Sequence, residues 1–419
     1  MMQMKQIAFD PAWTKAALEQ IPHGAAVFAL YGAEAKDEPY IGRTPNLRAR
    51  LERLLQPSLK HPKRLQLAGR VRRIGWRLTG SDFESLLTQF SLLEEIYGEK
   101  AIERMHLRAP AFIRYLGGNA YPRIVVTNRP SQREADWAYG PFASRAAAER
   151  FAEEVLKLFL LRRCTDDLDP NPSHPGCVYS EMKMCLAPCY KGCTDERYAE
   201  ESAAVESFLA SRGESKLVVL RAERGKASEN LEFEDAAALH AQAQRVESVR
   251  ALVPELVRPM SHLRVVILQA SAQPDEVAVF LFEEGRLRGP VGFSTLGMRI
   301  QNERSGSSSL FAQPLPLEPV PEVNPTEENA PKPPRGILEA RMEAVLAELS
   351  EALETPRPVV RQAHLALLKR WYYRPEAKRP GEIFFPDDEG RLPVKALLRG
   401  VGRVFSAGMH TPEIAAPKS

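Results

Sequence analysis

The chain lacks long apolar runs, a signal segment and internal repeats. No segment approaches the roughly 18 to 20 consecutive apolar residues of a membrane helix, so we expect no membrane partner. Residues 1–8 contain no apolar signal core, and we therefore predict a cytoplasmic protein. A length of 419 residues with 44% hydrophobic residues predicts about two to four globular domains.

Acidic residues are nearly absent from residues 41–80, where eleven Lys or Arg accompany the single acid Glu52. The net charge of the whole chain is only +3, so bulk charge predicts no partner. The local imbalance does, because a one-sided basic surface attracts polyanions. A solvated basic face is the alternative interpretation.

Cysteine is rare, and all five cysteines fall between Cys164 and Cys193. Turn-forming residues surround them, so this segment has little core of its own and needs a cross-link. Disulfides, zinc and an iron–sulfur cluster are the candidates, although disulfides do not suit a cytosolic chain. The tight C-x2-C pair of most zinc sites is absent, and reduced structural cysteines are the remaining alternative. The candidate metal ligands are Cys164, Cys177, Cys185 and Cys189.

The N-terminal pattern predicts a small α/β unit. Residues 25–31 and 39–42 are short apolar strands joined by a turn. Thr44 followed by Pro45 predicts the start of a helix. Ser81, with Glu84 three residues later, predicts the capping box of a later helix.

A tyrosine and two arginines are predicted to meet near the first helix. Tyr40 precedes it, and Arg43 and Arg50 follow within ten residues. A helix start favours anions, and arginine binds phosphate through two hydrogen bonds. A tyrosine in such a place can serve as a base, although a strand tyrosine is more often a packing residue.

In combination, these patterns resemble the UvrC family, which combines a GIY-YIG nuclease domain with a cysteine motif and a UVR motif. The UVR motif is a helical hairpin that pairs with UvrB. The shorter Cho nucleases share a layout with a single nuclease domain. The similar segments are residues 26–28 and 40–50 for the nuclease domain, 121–127, 139–142 and 161–166 for the next UvrC segments, 177–189 for the cysteine motif, 231–239 for the UVR motif, and 368–372 and 380–383 further on.

The resemblance implies an α/β (α+β) fold and a DNA-repair function with damaged double-stranded DNA and a UvrB-like protein as partners. It also implies a [4Fe–4S] cluster on the four cysteines, with zinc as the alternative, and Mg²⁺ or Mn²⁺ for cleavage. The implied residues are Tyr40, Arg43, Arg50 and Gln89 for catalysis, Asn46, Arg48, Arg53, Arg70, Arg72, Arg73 and Arg77 for DNA binding, and Leu231, Phe233 and Leu239 for partner binding.

The expected domains follow the resemblance and the composition. The Ser- and Pro-rich composition of residues 301–336 predicts an extended linker. The order is a nuclease-like domain at 1–116, a connecting α/β segment at 117–163, a cysteine-rich region at 164–195, a helical region with the UVR motif at 196–258, a small β unit at 259–300, the linker, and a C-terminal helical segment at 337–419.

Three positions depart from the family pattern. Phe28 replaces a second tyrosine, Gln89 replaces a metal-binding glutamate, and Phe112 replaces an asparagine. A neutral amide binds Mg²⁺ less well than a carboxylate, so cleavage is in doubt. A nearby glutamate of the same helix could substitute only if the helix were rotated. The sequence also ends where the ribonuclease-H-like and helix–hairpin–helix domains of UvrC would begin, so we expect at most one incision.

Three functions are compatible with these patterns. The protein is an active nuclease, a DNA- and UvrB-binding scaffold that does not cut, or a metal-stabilised nucleic-acid-binding protein outside repair. The UVR segment disfavours the third function. Gln89 favours the scaffold over the nuclease, whereas the family resemblance favours the nuclease.

Overall fold

The computed structural model describes residues 4–409 apart from 35, 57–66, 130–136, 166, 297, 299–334, 352–355 and 388. The described residues form three four-stranded antiparallel sheets with helices between and around them, which confirms the predicted mixed α/β class. The predicted linker lies outside the described residues except for Arg335 and Gly336, which open a helix. None of the helices in these ranges combines the length and apolarity that a bilayer crossing requires.

The N-terminal unit is a sheet with helices on both faces. Alternate residues of its central strand enter different cores, as a two-sided sheet requires. Phe28 and Leu30 pack with the first two helices, whereas Val27 and Ala29 pack with Leu92 on the opposite face. The strand order is β1-β4-β2-β3. The elements are β1 Lys5–Ala8, α1 Thr14–Glu19, β2 Ala26–Tyr31, β3 Tyr40–Thr44, α2 Leu47–Leu55, β4 Arg73–Leu78, α3 Asp82–Tyr97 and α4 Ala101–Arg104.

The starts of α2 and α3 are fixed by side-chain caps. The predicted start of α2 at Thr44 is wrong, because Asn46 caps the helix by accepting from the Ala49 amide at 3.1 Å. Thr44 instead accepts a hydrogen bond from the Asn46 amide. The predicted cap of α3 is confirmed, since Ser81 Oγ accepts from the Glu84 amide at 3.1 Å.

The middle unit packs one face of its sheet against four helices. Its strand order is β6-β5-β7-β8. Strand β5 falls inside the predicted nuclease-like domain at 1–116, yet it pairs with β6 and β7, so the middle unit begins earlier than the sequence indicates. The elements are β5 Ala111–Tyr115, β6 Ile124–Thr127, β7 Ala138–Phe142, α5 Arg145–Leu156, α6 Val178–Glu181, α7 Asp195–Ala210, α8 Glu214–Glu229, α9 Phe233–Arg250 and β8 Arg258–Pro259.

The third unit joins the predicted small β unit and the C-terminal segment in one sheet, ordered β11-β10-β9-β12. Strand β12 pairs with β9 through Ile383 and Ile267, so the two predicted domains form one folded unit. Helices α10 and α12 cover one face of this sheet. The elements are β9 Val265–Ala270, β10 Glu276–Glu283, β11 Arg286–Ser294, α10 Arg335–Ser350, α11 Pro358–Tyr372, β12 Glu382–Phe384 and α12 Val394–Met409.

Helix α3 lies between the first and third sheets. On one side Leu92 contacts the face of the N-terminal sheet. On the other, Phe83 packs against Phe280 of β10 and Trp371 of α11, with ring centroids 5.2 and 5.4 Å apart. Because opposite sides of α3 enter two different apolar clusters, one with the N-terminal sheet and one with the third unit, the helix joins the two units.

A buried histidine gives this core a pH-dependent stability. His364 Nδ1 accepts from the Leu287 amide at 3.0 Å, and burial, with the nearby Arg286 charge, lowers the pKa of His364 to about 3. The unfolded side chain binds a proton near its ordinary pKa of 6.5. Stability from this group is therefore present above about pH 6.5 and is lost as the pH falls toward about 3.

We predict that the unfolding free energy falls by about 2 kcal/mol between about pH 7 and pH 5 through His364 alone. His364→Gln keeps an acceptor for the Leu287 amide but cannot titrate. Urea denaturation at both pH values should show a smaller loss for the variant than for the wild type. Equal losses in both proteins would contradict the assignment.

Candidate nucleic-acid site and cysteine loop

Tyr40 and Arg50 form the one direct contact between predicted catalytic residues that we find in the described structure. Tyr40 begins β3, and Arg50 lies on α2, so the turn between them brings both side chains to the same face of the sheet. The Arg50 Nη2 atom donates to the Tyr40 hydroxyl at 3.2 Å. Both side chains are half-buried, and the fully buried Phe28 ring lies beside Tyr40 at 6.1 Å between centroids.

Arg43 is placed differently from Tyr40 and Arg50. It lies on β3 an odd number of residues from Tyr40, which places its side chain on the opposite face of the sheet. There it forms an ion pair with Asp82, the first residue of α3. The structure thus divides the predicted catalytic arginines between the two faces of the sheet.

Gln89 is half-buried on α3, on the helix side that carries Leu92 three residues later. Glu84, Glu94 and Glu95 could replace it; Glu95 is exposed near Tyr31, and the other two are engaged elsewhere. The Glu84 carboxylate accepts from the Gly80 amide at 2.8 Å, and burial raises the pKa of Glu84. Glu94 pairs with Arg357 at 2.5 Å. Neither carboxylate therefore takes the place of a metal-binding glutamate at position 89.

Several predicted DNA-binding residues have structural contacts within the N-terminal unit. Asn46 caps α2, as described above. Arg48 donates to the Ile21 carbonyl at 2.7 Å and the Glu19 carbonyl at 3.0 Å, which ties α2 to the end of α1. Arg73 stacks over the Tyr31 ring at 4.4 Å. Arg53 and Arg72 are exposed and also donate to nearby backbone carbonyls, whereas Arg70 is exposed and Arg77 is half-buried.

The cysteine loop, residues 157–194, connects α5 to α7 and contains the short helix α6. Two backbone hydrogen bonds fold it back on itself. The Asn171 amide donates to the Cys189 carbonyl at 2.9 Å, and the Leu186 amide donates to the Leu160 carbonyl at 3.0 Å. The loop therefore brings together cysteines that are distant in sequence.

Four of the five thiols lie close enough to influence one another. Burial raises the pKa of Cys185, and the charges of three neighbouring cysteines raise it further. Burial likewise raises the pKa of Cys189. Backbone amides of Ala187 and Tyr190 donate to these two sulfurs. The neighbours of Cys185 are Cys164, Cys177 and Cys189.

Cys193 has different surroundings. Burial is the main cause that raises the pKa of Cys193, and the charge of Asp195 is the next. The other cysteines are not among the causes. Within the described residues, no three side chains among His, Cys, Asp and Glu are positioned to hold one metal ion. The four thiols thus share a region without the close spacing of a single-ion site.

The predicted UVR segment forms the turn and second helix of a hairpin made by α8 and α9. Sequence reasoning missed α8, whose charged residues give little apolar periodicity. Glu214 ties the base of the hairpin together by pairing with Arg250 at 2.8 Å. Leu231, at a positive φ of 63°, and Phe233 are 71% and 66% exposed at the turn. Leu239 instead packs against the middle core.

Residues 112–208 match the family model of the UvrC/Cho excinuclease middle domain. They comprise most of β5, the strands β6 and β7, α5, the cysteine loop and most of α7. Phe112, aligned with the family's asparagine, lies on β5 of this sheet, and its buried side chain packs in the cluster that contains Phe83 of α3.

Curated relatives show the same similarity. The chain is 28% identical over 250 residues to UvrABC system protein C of Alcanivorax borkumensis, covering 60% of this chain and 41% of that protein. The protein of the same name from Carboxydothermus hydrogenoformans is 26% identical over 286 residues, which are 68% of this chain and 46% of that protein. The protein of the same name from Escherichia fergusonii is 28% identical over 236 residues, which are 56% of this chain and 38% of that protein.

The chain spans less than half the length of each of these relatives. No solved structure matches it. The family match and the relatives point to the same family, and the family match spans the cysteine loop. The chain is therefore similar to UvrC over about 60% of its length, and residues 112–208 match the UvrC/Cho middle-domain model.

Proposed function

We propose that this protein acts in nucleotide excision repair, where it binds damaged double-stranded DNA and cuts one strand at a single GIY-YIG-type site. The hydrogen bond between Arg50 and Tyr40 carries this proposal. Hydrolysis of a phosphodiester requires a base for the attacking water and positive charge beside the phosphate. In this proposal Tyr40 acts as the base and Arg50 stabilises the phosphate, which the contact between their side chains supports.

A divalent ion, Mg²⁺ or Mn²⁺, supplies charge to the phosphate and the leaving oxygen when it is bound. Gln89 is the residue aligned to hold it, but Gln89 lies on α3, on the side of the sheet opposite Tyr40 and Arg50, and its amide oxygen is a weaker ligand than a carboxylate. Glu84 and Glu94 are engaged with other groups. This donor set favours a second function, in which the protein binds DNA and a partner without cutting.

The substitution Gln89→Glu distinguishes the two functions. We expect the added carboxylate to raise Mg²⁺-dependent nicking of damaged plasmid by about tenfold or more, because hard cations are held chiefly by charge. Ser91→Glu adds the same charge on a different side of α3 and should have no such effect. Tyr40→Phe should lower any nicking by about 100-fold.

Strong nicking by the wild type that Gln89→Glu leaves unchanged would show that the alignment of α3 is wrong. DNA binding without nicking in all variants would favour the scaffold. Loss of DNA binding in the wild type would refute both functions.

We further propose a [4Fe–4S] cluster on Cys164, Cys177, Cys185 and Cys189. The donor chemistry fits, because four thiols share one region and amides donate to two of the sulfurs. Zinc is the alternative, because structural zinc sites are also bound by four thiolates.

Anaerobically purified protein should contain iron and absorb at about 400 nm. Cys185→Ser should remove most of both signals and lower the melting temperature, because the loop loses its cross-link. Cys193→Ser is the matched control and should keep iron and absorbance. Stoichiometric zinc without absorbance would refute the cluster.

The exposed end of the α8–α9 hairpin is proposed to bind a UvrB-like protein. Leu231 and Phe233 place two large apolar side chains in solvent at one turn, and such exposed anchors are typical of protein interfaces. The alternative for this segment is packing within the chain. Leu239 does pack against the middle core, whereas Leu231 and Phe233 are exposed.

We predict that Phe233→Asp weakens capture of this protein by immobilised UvrB at least about tenfold. Leu296→Asp changes a residue of equal exposure, 66%, on the third unit and should leave capture unchanged. Equal capture of both variants and the wild type would contradict the contact.

A further inference from the structure

Asp82 holds two arginines that come from distant parts of the chain. One carboxylate oxygen pairs with Arg43 on β3, and the other pairs with Arg374, just after α11, at 2.6 Å. The side chains remain accessible, with exposed fractions of 35% for Arg43, 37% for Asp82 and 27% for Arg374. The three groups thus form an open ionic cluster at the junction of the N-terminal and third units.

The position of this cluster follows from how α3 and α11 pack. At the start of α3, Asp82 pairs with Arg374, which lies two residues after the end of α11. The end of α3 pairs with the residue before α11, through Glu94 and Arg357. The helices are therefore antiparallel, with one ion pair at each end of their interface. Only the pair at the Asp82 end includes an arginine of the nuclease-like sheet.

We propose that Arg43 and Arg374 form a two-arginine clamp for a DNA phosphate, which Asp82 occupies until DNA displaces it. This inference rests on the proposed DNA-binding function and adds the third unit to the DNA-binding surface. A carboxylate presents two anionic oxygens to guanidinium groups in the same way as a phosphate does. Asp82 is thus a local competitor of the DNA backbone for both arginines.

The sequence around Arg374 is basic, which favours an anionic ligand. Residues 369–379 contain five Lys or Arg and one acid, Glu376. Burial lowers the pKa of Lys369, and the like charge of nearby Arg108 lowers it further. Arg370 is exposed on the same helix. A partly screened pair such as Arg43 and Asp82 contributes little stability, so a polyanion can exchange for the carboxylate at small cost.

The test measures binding of a fluorescein-labelled DNA duplex by the intact chain, using fluorescence anisotropy over a series of salt concentrations. Asp82→Asn should bind about tenfold more tightly at low salt, with a log–log salt slope steeper by about one to two, because two arginines become free for phosphate. Adding Arg374→Gln to this variant should reduce the slope by about 0.9.

Glu94→Gln is the matched control, since it removes the same charge from the same helix and breaks the other ion pair with α11. It should leave affinity and slope near those of the wild type. Circular dichroism should show that each variant keeps its helices.

The clamp is refuted if Asp82→Asn binds no more tightly than a wild type that does bind DNA. It is also refuted if Glu94→Gln matches the gain, since net charge would then explain it. Failure of the wild type and Asp82→Asn to bind DNA at any salt concentration would refute the proposed function itself.

Discussion

The burial of α3 between two sheets is the constraint on which the arrangement of the molecule depends. Its apolar side chains contact the N-terminal sheet on one side and β10 and α11 on the other. Each large apolar side chain buried in this way stabilises the fold by about 1.5 to 3 kcal/mol. Glu84, Ser85 and Thr88 of the helix are buried as well, so only part of its polar residues stay accessible. The accessible residues include Asp82, Gln89 and Glu94.

This constraint also explains how the site relates to the rest of the molecule. Tyr40 and Arg50 depend only on β3 and α2, which belong to one compact unit. Arg43 faces α3, and α3 is held in place by α11. The N-terminal sheet is therefore connected on one face to residues that lie far along the chain, while its other face carries the local pair of Tyr40 and Arg50.

Local chemistry made part of this structure predictable from the sequence. Tyr40 and Arg50 are separated by one turn and the start of one helix, so their meeting follows from the strand and helix patterns. Ser81 marks the start of α3 for the same reason. The start of α2 was misplaced because Thr44 and Asn46 are both good capping residues, and only the backbone decides between them.

Other features depend on long-range packing that no local pattern encodes. The pairing of Asp82 with Arg374 requires the contact between α3 and α11. The backbone contacts of Arg48 cannot be distinguished in sequence from a phosphate contact, because both use the same guanidinium. Helix α8 was missed because most of its stability comes from pairing with α9 and not from an apolar stripe.

The third sheet has a consequence for how the chain can vary. Its strands β9 and β12 are neighbours in space, but the connection between β11 and α10 separates them along the chain. Side chains alternate between the two faces of a strand, so an insertion or deletion of one residue within β12 would turn Ile383 away from its place beside Ile267 of β9.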